Sequence, residues 1–312
     1  MLDNNQSVVW IKNPLAVYAD NSDSGVVVSG NKIIELVPLG SLPKADIDEV
    51  YDASNSVLLP GLINTHHHFY QTLTRAYPEA LNKDLFPWLK SLYKVWANIQ
   101  PEMLAVSTEL ALSELLLSGC TTASDHHYLF PSQLENAIDI QVEEAQKIGM
   151  RVTLTRGSMS LGEKDGGLPP QSVVQTKQDI LLDSERLIKK YHDSKEGAMT
   201  QIALAPCSPF SVTKDLMIET ADLAQQYDVR LHTHLAETID EEKFCLEKFG
   251  LRTVDYLESV GWLSNKTWLA HGIHFNKQEI QKLGESGVGI CHCPSSNMML
   301  ASGICHSLEL EE

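Results

Sequence analysis

Three consecutive histidines close the stretch Leu58–Gln71, LLPGLINTHHHFYQ. An apolar run from Val57 to Leu59, the pair Pro60-Gly61 and a second apolar pair, Leu62-Ile63, lead into them. In a strand, alternate side chains share a face, so His66 and His68 point one way and His67 the other. Two imidazoles at the end of one rigid strand can grip a divalent metal. The competing reading is a polar strand end that carries surface histidines. Further ligands elsewhere in the chain decide between the two.

Ligand-capable residues do recur, each at the end of a short apolar run. They are Asp125-His126-His127, Arg156, Ala205-Pro206-Cys207, His232-Thr233-His234, His271 and Cys291-His292-Cys293. Glu237 lies three residues after His234. A site with three histidines leaves an open position for water. A metal there lowers the pKa of water from 15.7 to about 7, and a nearby carboxylate can move the protons that hydrolysis requires. Glu237 is spaced for that role, and a water-poor pocket should raise its pKa. Its alternative is an exposed carboxylate opening the next helix. His232 shares a face with His234, so the pattern alone does not choose between them.

The runs that carry these ends are candidate strands: Cys120–Asp125, Arg151–Arg156, Gln201–Pro206, Val229–His234, Thr267–His271 and Val288–His292. Helical periodicity fills the intervals at Pro101–Leu117, stopped by Gly119, at Gln133–Ile148, stopped by Gly149, at Lys214–Gln226 and at Glu241–Leu246. Regular strand–helix alternation predicts a parallel sheet. With Val57–His66 there are seven strands, and a (β/α)8 TIM-like barrel needs one more. Polar residues gathered at the C-terminal strand ends are where a barrel places its active site. Before Val57 the pattern differs: Ser7–Ile11, Val26–Val28 and Lys32–Val37 read as short strands separated by turns. Residues 1–58 are therefore expected to be the N-terminal part of a small β domain, and 59–312 the barrel.

Composition narrows the function classes. The 312-residue chain carries a net charge of −17, which excludes the basic footprint of a nucleic-acid-backbone binder. With 43% hydrophobic and 21% charged residues it is globular. Six cysteines are scattered along it, with no apolar leader and no run of about 18 apolar residues. The expectation is a reduced, cytoplasmic protein without a membrane span, acting on a small molecule. Cys291-His292-Cys293 lacks the second pair that a structural zinc site needs and reads as a buried strand end.

The motifs PGLINTHHH, HTHLAE, LAHG and CPSSN, in this order, resemble the amidohydrolase superfamily, in particular its aminohydrolase branch, which deaminates guanine, adenosine compounds and triazines. The resemblance runs from about Val8 to the last residue. It implies that His66, His68 and His234 bind one metal, that His271 orients the water, and that Glu237 shuttles protons. The HxxE spacing and the family match choose His234 over His232. Imidazole suits zinc, iron or nickel, with zinc the default. HHHFYQTLTRA followed by DLFPWLKSLYKVW is similar, more narrowly, to deaminases that turn 8-oxoguanine into urate and ammonia. Triazine and guanine aminohydrolysis are the alternatives.

For a purine, Phe69, Tyr70 and Trp88 offer flat apolar surface, Gln71 can both donate and accept, and Arg156 can donate to a carbonyl and stabilise charge developing on the ring. Cys207 is a further candidate for the pocket wall, whereas Trp96 reads as core. The full-length protein is expected to be a homo-oligomer. One departure stands out. The family carries an aspartate on strand eight, in a Gly-Val-Asp stretch downstream of CPSSN, and this chain ends at Glu312 without one. The expectation is a C-terminally truncated enzyme, and the rival of another class is a non-catalytic fragment. A ring-opening hydrolase with a bridging lysine on strand four is disfavoured because Gln201–Pro206 has no lysine.

Overall fold

The computed structural model describes residues 7–312. By contact density the chain divides into two units, one reaching Leu62 and including Lys195–Gly197, the other comprising Ile63–Ser194 and Ala198–Glu312.

The first unit is built from β-branched runs. Strands β1 (Val8–Lys12), β3 (Gly25–Ser29), β4 (Lys32–Val37) and β5 (Glu49–Asp52) form a sheet in the order β4-β3-β1-β5, and β2 (Ala16–Val17) pairs with β6 (Val57–Leu58). A small core of Trp10, Val27 and Val37 holds the larger sheet. Three of these strands are the ones the sequence predicts. β5, flanked by acidic residues and fully exposed, carries no such signal.

The second unit is a parallel sheet of seven strands wrapped by helices. The strands are β7 (Leu62–His67), β8 (Cys120–His127), β9 (Arg151–Ser158), β10 (Thr200–Pro206), β11 (Leu231–Leu235), β12 (Thr267–His271) and β13 (Gly289–Cys291), in unbroken sequential order. The α-helices are α1 (Leu85–Trp96), α2 (Pro101–Leu117), α3 (Ala137–Ile148), α4 (Lys177–Tyr191), α5 (Lys214–Tyr227), α6 (Ile239–Phe249), α7 (Thr253–Ser259), α8 (Lys277–Ser286), α9 (Pro294–Met299) and α10 (Ser307–Glu311). Sequential parallel strands with crossover helices are the TIM-barrel pattern, here nearly closed, with β7 and β13 as the edges. Two bonds approach across the gap: the Trp268 indole N–H donates to the Thr65 carbonyl at 3.0 Å, and the Thr65 hydroxyl lies 2.9 Å from Cys291 Sγ.

The interior strands β8–β12 are buried almost throughout, as strands covered on both faces must be. One glycine has a steric reason. A Cβ on Gly157 would stand 2.1 Å from the His127 carbonyl oxygen, so only glycine lets β9 pass the end of β8. Among the described residues no helix is long and apolar enough to cross a membrane.

Candidate metal centre

Period-two alternation places His66 of β7 and His68, in extended backbone just past its end, on one face, and His232 and His234 on one face of β11. Barrel closure brings these faces together with His126 from β8 and His271 from β12. The His66 ring lies 4.7 Å from that of His68, 5.0 Å from those of His232 and His234, and 5.7 Å from that of His271, between ring centres. One nitrogen each of His66, His234 and His271 falls within 4.8 Å of the others.

Hydrogen bonds to acceptor-only groups fix where each proton sits. His68 Nδ1–H donates to the His126 carbonyl at 2.7 Å, and His234 Nδ1–H to the Cys207 carbonyl at 2.6 Å. Each ring therefore keeps a bare lone pair on Nε2. Those two Nε2 atoms face one another at 3.2 Å. Two lone pairs repel at that distance unless a cation lies between them. Nitrogens bound at 2.0–2.1 Å to one tetrahedral ion stand about 3.3 Å apart, so the donor set fits a divalent metal of the zinc type.

Glu237 reaches the same place through local strain. Ala236 adopts φ +53° and His271 φ +78°, left-handed conformations that cost a non-glycine residue about 1–3 kcal/mol each. The Glu241 carboxylate holds the first of these bends, accepting from the N–H groups of Ala236 at 3.0 Å and Glu237 at 2.9 Å. Thr238 then caps α6. As a result Glu237 Oε2 stands 3.4 Å from His271 Nε2. The other nitrogen of His271 bonds the side-chain oxygen of Asn297 at 2.9 Å.

Burial dominates the electrostatics. It pushes the Glu237 carboxyl up to about 8 and the Cys207 thiol up to about 12. It pushes His68 down to about 3 and His271 down to about 4. His66 and His234 are also held well below the usual imidazole range, by burial and by the neighbouring imidazoles. Four neutral imidazoles beside a carboxyl whose pKa burial lifts toward neutrality form a site suited to metal ligation and proton transfer.

The centre opens into a cavity of about 490 Å³. His66, His68, His234, Glu237 and His271 all border it, as do three expected substrate contacts, Gln71, Trp88 and Cys207. The placement of Arg156 runs against expectation. Its guanidinium turns away from the cavity to pair with Asp183 of α4 at 2.7 Å, bonds Gln175 at 3.0 Å and lies over the Phe130 ring. Only 1% of its side chain is exposed, and no β9 residue lines the cavity. Phe69 and Tyr70 also miss it: a 3-10 turn over Phe69–Thr74 carries both into the core, where Tyr70 packs edge-on against Trp96.

Several contributors lack a signal in the sequence. Tyr128, Leu85, Leu89 and Phe210 supply apolar wall, whereas Cys291, His292 and Cys293, marked by the strand-end pattern but read as buried, line the side nearest β13 with His292 exposed. Asn297, the last residue of the CPSSN motif, holds His271, and Glu241, which no motif marks, holds the bend before Glu237.

The model of the amidohydrolase family matches residues 57–312. The 8-oxoguanine deaminase of Pseudomonas aeruginosa is 63% identical over 308 residues, which is 98% of this chain and 69% of that protein. An isoxanthopterin deaminase from an unknown prokaryotic organism is 33% identical, over 88% of this chain and 58% of its own length. The solved structure of atrazine chlorohydrolase from Arthrobacter aurescens TC1, complexed with zinc, superposes with a TM-score of 0.90 at 28% identity, covering 97% of this chain and 69% of that one.

Proposed function

Because this chain belongs to the amidohydrolase family, we propose that it hydrolytically deaminates an amino-substituted heterocycle, with 8-oxoguanine, giving urate and ammonia, as the substrate. The observation that carries the chemistry is the 3.2 Å approach of the unprotonated His68 and His234 nitrogens beside Glu237. The 63% identity to an 8-oxoguanine deaminase supports the substrate. The chain spans 69% of that relative and 58% of the next, so the whole protein's activity is carried over here as a proposal.

In this reading His66, His68 and His234 hold one divalent metal, zinc by default. When bound, such an ion supplies the Lewis acidity that makes water a nucleophile near neutral pH. The protein's own residues do the rest. Water's oxygen bonds to the amino-bearing ring carbon, the C–N bond breaks, and the nitrogen leaves as ammonia. Glu237 takes a proton from the water and returns one to the departing nitrogen. His271, held by Asn297 and facing Glu237, orients the attacking water. Trp88 covers the ring, Gln71 bonds its edge, and Cys207 stays a neutral thiol in the wall. Residues 1–58 belong to a small β domain and 59–312 to the hydrolase barrel.

The test is ammonia release from 8-oxoguanine, guanine, isoguanine and a hydroxylated aminotriazine. Turnover led by 8-oxoguanine supports the proposal. Turnover of triazines alone would move the substrate class, in line with the triazine-hydrolysing structural relative. No ammonia from any substrate, with zinc bound, would favour the non-catalytic reading.

A further inference from the structure

A second imidazole layer lies behind the proposed ligands. One nitrogen each of His66, His126 and His232 falls within 4.8 Å of the others. His126 and His232 are fully buried and border no part of the cavity. The proton positions in this layer follow from one carbonyl. His232 Nδ1–H donates to the Trp268 carbonyl at 2.8 Å. A carbonyl only accepts, so the remaining nitrogen of His232, Nε2, carries no proton. That bare Nε2 lies 2.8 Å from His66 Nδ1. His66 must therefore be the donor, with its proton on Nδ1 and its lone pair on Nε2.

The geometry of His232 is fixed from both sides. Its ring stacks on the Trp268 indole at 4.3 Å between centres and 14° between planes. That indole in turn donates to the carbonyl of Thr65, the residue before His66. The contacts form a closed circuit from β7 to β12 to β11 and back to β7.

We propose that His232 is a positioning residue for His66: an imidazole-to-imidazole relay, ending on the Trp268 carbonyl, holds His66 in the tautomer whose Nε2 can bind a cation. The proposal rests on the metal-site reading above. Ligating histidines commonly donate their second N–H to a carbonyl or carboxylate, as His68 and His234 do here. Among the described residues His66 has only His232 for that purpose, so its ligand basicity depends on one replaceable side chain.

The same layer does not form a second cation site. The 2.8 Å between His66 Nδ1 and His232 Nε2 is a hydrogen-bond length, shorter than the ~3.3 Å that separates two nitrogens on one tetrahedral ion.

Two variants separate hydrogen bonding from packing. In His232→Gln the amide oxygen can take the His66 N–H, and in His232→Leu nothing can. Zinc affinity is read by competition with a chromophoric chelator, with stoichiometry from elemental analysis. His232→Leu should bind zinc ~10–100-fold more weakly than the parent protein, and His232→Gln should recover most of that loss. Equal affinity in all three proteins, equal loss in both variants, or a second zinc equivalent in the parent would overturn the relay.

Long-range 15N NMR of the zinc-free parent protein gives an independent reading and needs no variant to fold. The relay requires His66 protonated on Nδ1, and protonation on Nε2 would overturn it. If the parent bound no zinc while its His66 showed the Nδ1–H form, the metal-site reading would fail and the relay would stand.

Discussion

The Nε2 atoms of His68 and His234 lie 3.2 Å apart with a proton on neither, because each ring spends its only N–H on a backbone carbonyl. That arrangement is stable only with positive charge between the two atoms, so zinc should bind the folded chain and not the unfolded one. At zinc a thousandfold above its dissociation constant the gain is about 4 kcal/mol. Thermal melts with zinc and with a chelator should differ accordingly, and His234→Ala should lose most of the difference. An equal zinc-induced shift in His234→Ala would place the ion elsewhere.

Glu237 faces His271, and burial raises its carboxyl. Glu237→Gln keeps the shape and removes the proton exchange. Its zinc content should match the parent's, while kcat falls by ~10²–10⁴-fold. Steady-state ammonia release, paired with elemental analysis, reads both quantities. A kcat within a few-fold of the parent's would remove Glu237 from proton transfer.

In the zinc-free chain, stability should peak near about pH 6–7. Eight imidazoles, buried at His126, His127, His232, His234 and His271 and half-buried at His66, His67 and His68, are shifted down, mainly by desolvation. An unfolded histidine titrates near 6.5, so below that the unfolded chain takes up protons the folded chain refuses. Their contribution is whole above about pH 6.5 and is lost as pH falls toward the depressed values. Asp125, held at about 7, and Glu237 and Glu241, both held at about 8, act in the opposite sense. Their contribution is whole below the unfolded carboxyl range and is lost as pH rises through 7 to 8. Urea midpoints across pH should fall on both sides of the peak. A midpoint that keeps rising into the alkaline range would contradict this.

Trp88 and Arg156 should separate cleanly in kinetics. Trp88 borders the cavity while leaning edge-on against Trp96 at 5.5 Å, so Trp88→Ala should raise KM ~10-fold with a smaller change in kcat. Arg156 is engaged with Asp183 outside the cavity. Arg156→Met should leave KM unchanged and cost about 3 kcal/mol of stability, the price of breaking a buried charge pair. A raised KM with normal stability in Arg156→Met would return Arg156 to the substrate.

The strand ends were legible because a parallel barrel collects its polar residues at one rim, leaving histidines at the ends of apolar runs. α2 could be bounded to the residue, Pro101–Leu117, because apolar spacing and the stop signal at Gly119 agree there. Arg156 shows where reading fails. Its partner Asp183 sits on α4, whose buried residues Ile180, Ser184, Leu187 and Ile188 recur at helical spacing among charged neighbours, yet no helix is read there from the sequence. Its place at a strand end and its donor chemistry made the arginine a substrate candidate. Phe69 and Tyr70, expected as flat surface for the ring, are instead carried into the core by the 3-10 turn that follows the strand. Pattern alone could not rank His232 against His234, since both face the same way. The fold uses both, one toward the cavity and one behind His66.

X-ray absorption at the zinc edge tests the convergence of His66, His68 and His234 most directly. The loaded protein should show light scatterers at 2.0–2.1 Å with the outer-shell pattern of imidazole rings, at one zinc per chain. A dominant sulfur shell near 2.3 Å, which Cys291 and Cys293 could supply from the cavity wall, would contradict it.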